Sequence, residues 1–188
     1  FAVYWLYRSF TLAVLTVGAH LKMKAAQKFD WLADIKNQFP QKWSEVHHVI
    51  IIPTYQEPLA TLERTLTALA NQTLPLRNLH IMVSFEEREG PAARAKATQL
   101  HYQFDQTFGH LWTTFHPDID GEVKGKSSNT AWGARQAKQF LIDQEKHDLN
   151  TATISSVDAD VVLNPQYFAA LTYNFLASPK PFNRIWQG

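Results

Sequence analysis

The sequence predicts an α/β fold with an open, mainly parallel, Rossmann-like sheet between layers of helix, and three observations carry that expectation. Short apolar or β-branched runs recur at 49–52 (VIII), 79–85 (LHIMVSF), 111–116 (LWTTFH) and 151–157 (TATISSV). The intervals after them carry helical spacing, and three open at or next to a proline: Pro58, Pro91 and Pro165. Strand and helix alternate strictly, which implies parallel pairing through right-handed crossovers.

Composition removes several other classes. The 188 residues are 45% hydrophobic and 19% charged, with no cysteine and a formal net charge of +1. A disordered chain, a disulfide scaffold and a general nucleic-acid binder are excluded by those values. The basic excess is N-terminal: Arg8, Lys22, Lys24, Lys28, Lys36 and Lys42 stand against Asp30, Asp34 and Glu45 before position 48, and the remainder holds more acidic than basic residues.

The first 21 residues contain one formal charge, Arg8, and Lys22, Lys24 and Lys28 follow directly. An apolar run of about 20 residues matches a bilayer core, and flanking lysines mark the cytoplasmic side. The segment therefore reads as a transmembrane or interfacial helix, with an aromatic-rich helix packed on a soluble core as the alternative. Residues 29–48, with Trp31, Phe39, Pro40 and Trp43, read as an amphipathic connector. Together 1–48 form a membrane-proximal lead to an α/β domain over 49–188. Phe1 in place of a methionine, and an end at Gly188 just after an apolar stretch begins, suggest a piece of something longer.

Within the domain, VIII ending at Pro53 reads as a strand buried on both faces. Leu59, Leu62, Leu66 and Leu69 form the apolar stripe of the first helix. LHIMVSF is the second strand, followed by a helix from Pro91 to about Phe108. LWTTFH is the third strand, followed by a helix from Ser127 to about Asp143. TATISSV is the fourth strand, and a helix from Pro165 to Ala177 follows it. Adjacent His47 and His48 point to opposite faces of an extended segment, so one metal ion could not readily use both. Trp132 and Phe140, eight apart on one helix, read as core.

Open sheets of this kind bind ligands at the carboxyl ends of their strands. There the sequence places Pro53-Thr54-Tyr55-Gln56-Glu57, then Glu86 and Glu87, then Asp118 to Lys126 leading into Asn129, and last Ser156-Val157-Asp158-Ala159-Asp160. Two carboxylates one residue apart at a strand tip can hold a hard divalent ion that keeps waters and phosphate oxygens in its shell. Each piece also has an ordinary reading as loop charge or local helix-end bonding. No G-x-x-x-x-G-K-[ST] or G-x-G-x-x-G is present, which removes P-loop and dinucleotide-binding chemistry. PTYQEP has no glycine, which argues against a sugar-phosphate nucleotidyltransferase.

IIIPTYQE, an acidic tip after the second strand, KGKSSN and SSVDAD, in this order, resemble the family-2 glycosyltransferases of the GT-A fold. The resemblance spans Val49 to Gly188 and implies a partial GT-A domain that binds a nucleotide-sugar donor, UDP-linked, with Mg2+ or Mn2+ as cofactor. It places Pro53, Thr54, Tyr55 and Glu57 along the base and ribose. Glu86 or Glu87 stands where relatives commonly carry an aspartate that reads uracil. Lys126 and Asn129 match the nucleotide-proximal lysine and asparagine. Asp158 and Asp160 match the metal motif, Asp160 as direct ligand and Asp158 also near the ribose. The implied reaction is sugar transfer with inversion to a lipid or glycan acceptor that the sequence does not identify, on the cytoplasmic face of a membrane. In relatives the general base is an aspartate well after the metal motif. No Asp or Glu follows Asp160, so the base is expected beyond Gly188 and the fragment is expected to be inactive in transfer by itself. Trp186-Gln187-Gly188 would open the next strand. The rival reading is a non-catalytic GT-A-like module that binds a nucleotide or supports a membrane assembly.

Overall fold

A computed structural model describes residues 1–186. Among them, α1 (Ala2–Lys28) is a single 27-residue helix with no buried residue. At 1.5 Å per residue it is about 40 Å long, more than the ~30 Å of a bilayer core. It is apolar enough to cross a membrane by length and composition, and it does not pack on the rest of the protein as a core helix would. The Asp30 side chain caps α2 (Trp31–Gln38) by accepting from the Ala33 N–H at 3.0 Å. The connector is thus part of the globular body: Ile35 is fully buried in the main core, and α2 lies on the last helix.

The body is an α/β structure around a four-stranded, all-parallel sheet among the described residues. Its strands are β1 (His47–Thr54), β2 (Leu79–Glu86), β3 (His110–His116) and β4 (Ala152–Ser156), in spatial order β3-β2-β1-β4. The helices α3 (Leu59–Ala70), α4 (Pro91–Phe104), α5 (Lys126–Lys138) and α6 (Tyr167–Ala177) complete the alternation. Ile50 and Ile52 point into the larger core, formed with Leu62, Leu66, Leu100 and Phe168. Val49 and Ile51 point the other way, toward Ala137 and Leu141 beside α5. Each fully buried isoleucine contributes roughly 1.5–3 kcal/mol relative to exposure, so the continuously buried runs of β1 and β2 together anchor the sheet.

Of the boundaries that differ from expectation, four have a clear local reason. β1 continues through Pro53 instead of stopping there. Ile51 C=O accepts from Val157 N–H at 2.9 Å, so Pro53, two residues on, turns its missing N–H to the same side. The β1–β4 ladder has already ended at Ile51↔Ser156, and no sheet bond is lost. α4 stops at Phe104, four residues early, because Phe108 is drawn into the core and Gly109 N–H bonds to the Leu76 and Leu79 carbonyls. α5 gives way to a π-helical turn at Gln139–Gln144, where Glu145 N–H reaches back five residues to Phe140 C=O. α6 starts at Tyr167 because the Asn164 side chain accepts from Gln166 N–H at 2.9 Å, forming a turn over Pro165. Trp186 is irregular, and the rest of the expected next strand, Gln187 and Gly188, lies outside the described residues.

Candidate functional site

The order β3-β2-β1-β4 makes the β1/β4 junction a switch point: from β1 the chain builds outward to β2 and β3, then returns to place β4 on the other side. A crevice opens outside the carboxyl ends at such a point. Here it is an open cleft of about 320 Å³. It is lined by Pro53, Thr54, Tyr55 and Glu57 after β1, by Glu86 and Arg88 at β2, by Gly125, Lys126 and Asn129 at α5, and by Asp158, Ala159 and Asp160 after β4. Nine of the ten residues singled out in the sequence meet there. The tenth, Glu87, is exposed and reaches away to Arg94 at 3.2 Å.

Close packing brings α5 to this edge. A Cβ on Gly133 would sit 2.9 Å from Ile51 Cγ2 and 3.0 Å from Ser84 Cβ, so only glycine lets the helix lie so near the sheet. Asn129, one turn earlier and 1% exposed, spends its amide on the protein. Its Nδ2 donates to Ser84 C=O (2.8 Å) and Thr54 C=O (3.3 Å), and its Oδ1 accepts from Ser84 Oγ (2.7 Å). Asn129 therefore ties the ends of β1 and β2 to α5. The α5 N-terminus has no side-chain cap, and its free N–H groups favour an anion. Lys126 sits on its first turn and forms an ion pair with Asp158 across the cleft.

Asp158 and Asp160 are exposed while Ala159 between them is buried, so both carboxylates stand at the cleft, Asp158 held by Lys126. Backbone bonds from α3 hold the segment: Thr65 Oγ1 donates to Ala159 C=O at 2.6 Å, and an Arg64 Nη donates to Asp160 C=O at 3.2 Å. Among the described residues no cluster of three or more His, Cys, Asp or Glu side chains is placed to hold a metal ion. Two carboxylates open to solvent suit a hard cation completed by water and phosphate oxygens, and do not suit an all-protein cage. Thr54 Oγ1 is buried at the edge of the same cleft with no hydrogen-bond partner among the described residues.

Further contacts surround the cleft. Glu86, buried, forms an ion pair with Arg88, and that hydrogen bond raises the Arg88 pKa above its already high ordinary value. The Arg88 guanidinium lies 4.1 Å from the centre of the Tyr55 ring, a cation–π contact. Glu89 and Lys96 meet behind the Tyr55 turn. His116, at the end of β3, lies 3.1 Å from Glu122, under the loop that closes one side. Trp132 packs on His116 and donates to Thr114 Oγ1, and Phe140 stacks on Trp112, so neither faces the cleft.

His47 and His48 do point to opposite faces. His48 is buried between Thr153 and Thr172, at 2.7 and 2.8 Å. His47 contacts His80, which contacts His110, at the amino-terminal edge of the sheet, far from the cleft.

No family model matches the chain, and no curated protein matches it. Among the solved structures that resemble it is S. aureus TarS 1-349, at 14% identity and a TM-score of 0.48, with 69% of this chain and 32% of that one covered. The chain thus spans about a third of the length of that protein. So distant a likeness says nothing about chemistry.

Proposed function

We propose that the cleft binds the nucleotide diphosphate of a sugar donor, UDP-linked, and that the chain is the donor-binding part of an inverting family-2 glycosyltransferase. The observation that carries this reading is the convergence of two open carboxylates, a lysine and an uncapped helix N-terminus at the sheet's switch point. That combination suits a diphosphate with a divalent cation: the chain's cations and N–H groups meet phosphate oxygens, and the carboxylates meet the metal. Tyr55, Arg88 and Glu86 form the flat, charged end of the cleft where a base would lie. Their donors and acceptor suit a ring with an N–H between two carbonyls, as in uracil.

In inverting transfer the acceptor hydroxyl attacks the anomeric carbon while the bond to the diphosphate breaks on the opposite face. The leaving diphosphate gains negative charge as that bond breaks. Lys126 and the first-turn N–H groups of α5 would stabilise it without rearranging. Mg2+ or Mn2+ held by Asp158 and Asp160 would supply further charge neutralisation. To meet either ligand, Lys126 and Asp158 must exchange their mutual ion pair for phosphate and metal. No carboxylate follows Asp160 in the sequence, so no residue here is assigned as the base for the acceptor. On the same reading α1 lies in a membrane, with Lys22, Lys24 and Lys28 at the cytoplasmic headgroups. A long apolar helix with no buried residue suits an apolar surrounding.

Calorimetry on the detergent-solubilised full chain tests donor binding without requiring turnover. UDP should bind in Mn2+, and EDTA or Asp160→Ala should weaken it at least about tenfold, roughly 1.4 kcal/mol. Absence of UDP binding by the parent chain with Mn2+ would favour a structural module that supports a membrane assembly. Equal affinity in Mn2+ and EDTA would remove the metal from the account.

A further inference from the structure

The turn that carries Tyr55 and Glu57 into the cleft has an unusual backbone. Gln56 has φ +59°, in the left-handed region that non-glycine residues adopt at a cost. Its side chain is exposed and does not line the cleft, yet it lies between two residues that do. Something must hold it there.

Behind the turn is an ion pair with no part in the donor site. Glu89, its side chain 4% exposed, accepts from Gln56 N–H through Oε2 at 3.0 Å. Through Oε1 it pairs with Lys96, whose side chain is 14% exposed. Lys96 Nζ in turn donates to Glu57 C=O at 2.7 Å. The two charges therefore grip the backbone on both sides of the strained peptide, one at the N–H of Gln56 and the other at the C=O of Glu57. Local sequence sets this up. Glu89 ends a 3-10 turn at Glu87–Glu89, Gly90 takes φ +73° and ψ −145°, and Pro91 starts α4, which carries Lys96 back over the pair. Hydrogen bonds to a charged group are about twice as strong as neutral ones, and here both partners are largely out of water.

We propose that Glu89 and Lys96 are positioning residues: a buried clamp that holds Gln56 left-handed and so presents Tyr55 and Glu57 to the nucleotide. The proposal rests on the donor-binding reading above for its consequence, and on the turn's geometry for the clamp itself. The clamp touches no ligand. It acts by lowering the cost of ordering the turn when a nucleotide binds.

The test replaces the pair with apolar residues of similar size, Glu89→Leu with Lys96→Met, because removing one partner alone would leave an unpaired buried charge. Measured on the full chain in detergent with Mn2+, UDP affinity should fall about tenfold while the melting temperature moves little. Adding Gln56→Gly should recover most of that loss, since glycine adopts positive φ without steric cost; in the parent background the same change should do little. In the unliganded proteins, amide exchange at Gln56 should speed up in the double variant. Unchanged UDP affinity, or no recovery on adding Gln56→Gly, would overturn the clamp. If the parent binds no UDP, donor binding fails, and Gln56 exchange then decides the clamp on its own: faster exchange in the double variant upholds it, unchanged exchange ends it. If the double variant does not fold, Glu89→Gln gives the same exchange readout.

Discussion

At residue scale, adjacent side chains with the same charge part company because the backbone changes state between them. Glu86 is the last residue of β2, in register with His116, and is buried at the cleft; Glu87 opens a 3-10 turn and faces Arg94. The sequence marks both as an acidic tip but cannot say where the strand ends. The partnerships of Arg88, Glu89 and Lys96 were illegible for a related reason: a charged residue in a loop or on a helix reads as solvated until its partner is known. Asn129 shows the reverse case. The resemblance implies a place beside the nucleotide, while its bonds to Ser84 and Thr54 make it a tie between elements. Asn129→Ala would remove the amide donor to the buried Ser84 and Thr54 carbonyls and leave Ser84 Oγ only the backbone carbonyl of residue 129, at 3.2 Å. A stability loss of about 2–4 kcal/mol is expected, read as a lower urea midpoint. A loss below about 0.5 kcal/mol would mean the tie carries no stability.

At element scale the two ends of the sheet have different chemistry. The carboxyl end carries the cleft. The amino-terminal end carries a row of imidazoles, with His47 Nδ1 2.8 Å from His80 Nε2 and His80 Nδ1 3.0 Å from His110 Nδ1. Glu145, placed by the π-helical turn, lies 3.0 Å from His110 and 3.4 Å from His147. Burial first, and neighbouring imidazoles second, lower His47 to about 4 and His80 to about 3. His48, buried on the other face, is lowered to about 3 chiefly by burial. As pH falls, the unfolded chain takes up these protons before the folded one. The stability tied to neutral imidazoles is therefore fully present above about pH 6.5 and is lost as pH falls toward 4 and 3. Urea midpoints should hold level from pH 8 to 7 and decline below 6.5. His48→Gln should reduce the slope between pH 4 and 6 by roughly 1.4 kcal/mol per pH unit. An unchanged slope in that variant would show that His48 does not titrate this way.

For the whole molecule, periodicity made the alternation of strand and helix legible, and with it the parallel sheet. It did not give the strand order, because crossover handedness fixes the side on which each helix packs but leaves the choice of neighbour open. Placing β4 beside β1 brings Asp158 and Asp160 opposite Tyr55 and Lys126, and that choice was visible only through the motifs at the strand ends. α1 was legible as an apolar span from its lack of charge. That none of its residues is buried, and that only its C-terminal end comes near the body, beside Leu163 and Tyr167, is something only the structure reveals. The body also exposes an apolar groove beside β4, formed by Leu141, Ile142, Leu149 and Ile154, which serves as an internal control for where a nucleotide binds.

Amide exchange of the full chain with and without UDP and Mn2+ separates the two places. A donor site at the switch point predicts slowed exchange at 54–57, 86–89, 125–130 and 158–160, with the groove beside β4 unchanged. Protection confined to that groove, or none at the four strand-end segments under saturating UDP and Mn2+, would contradict it.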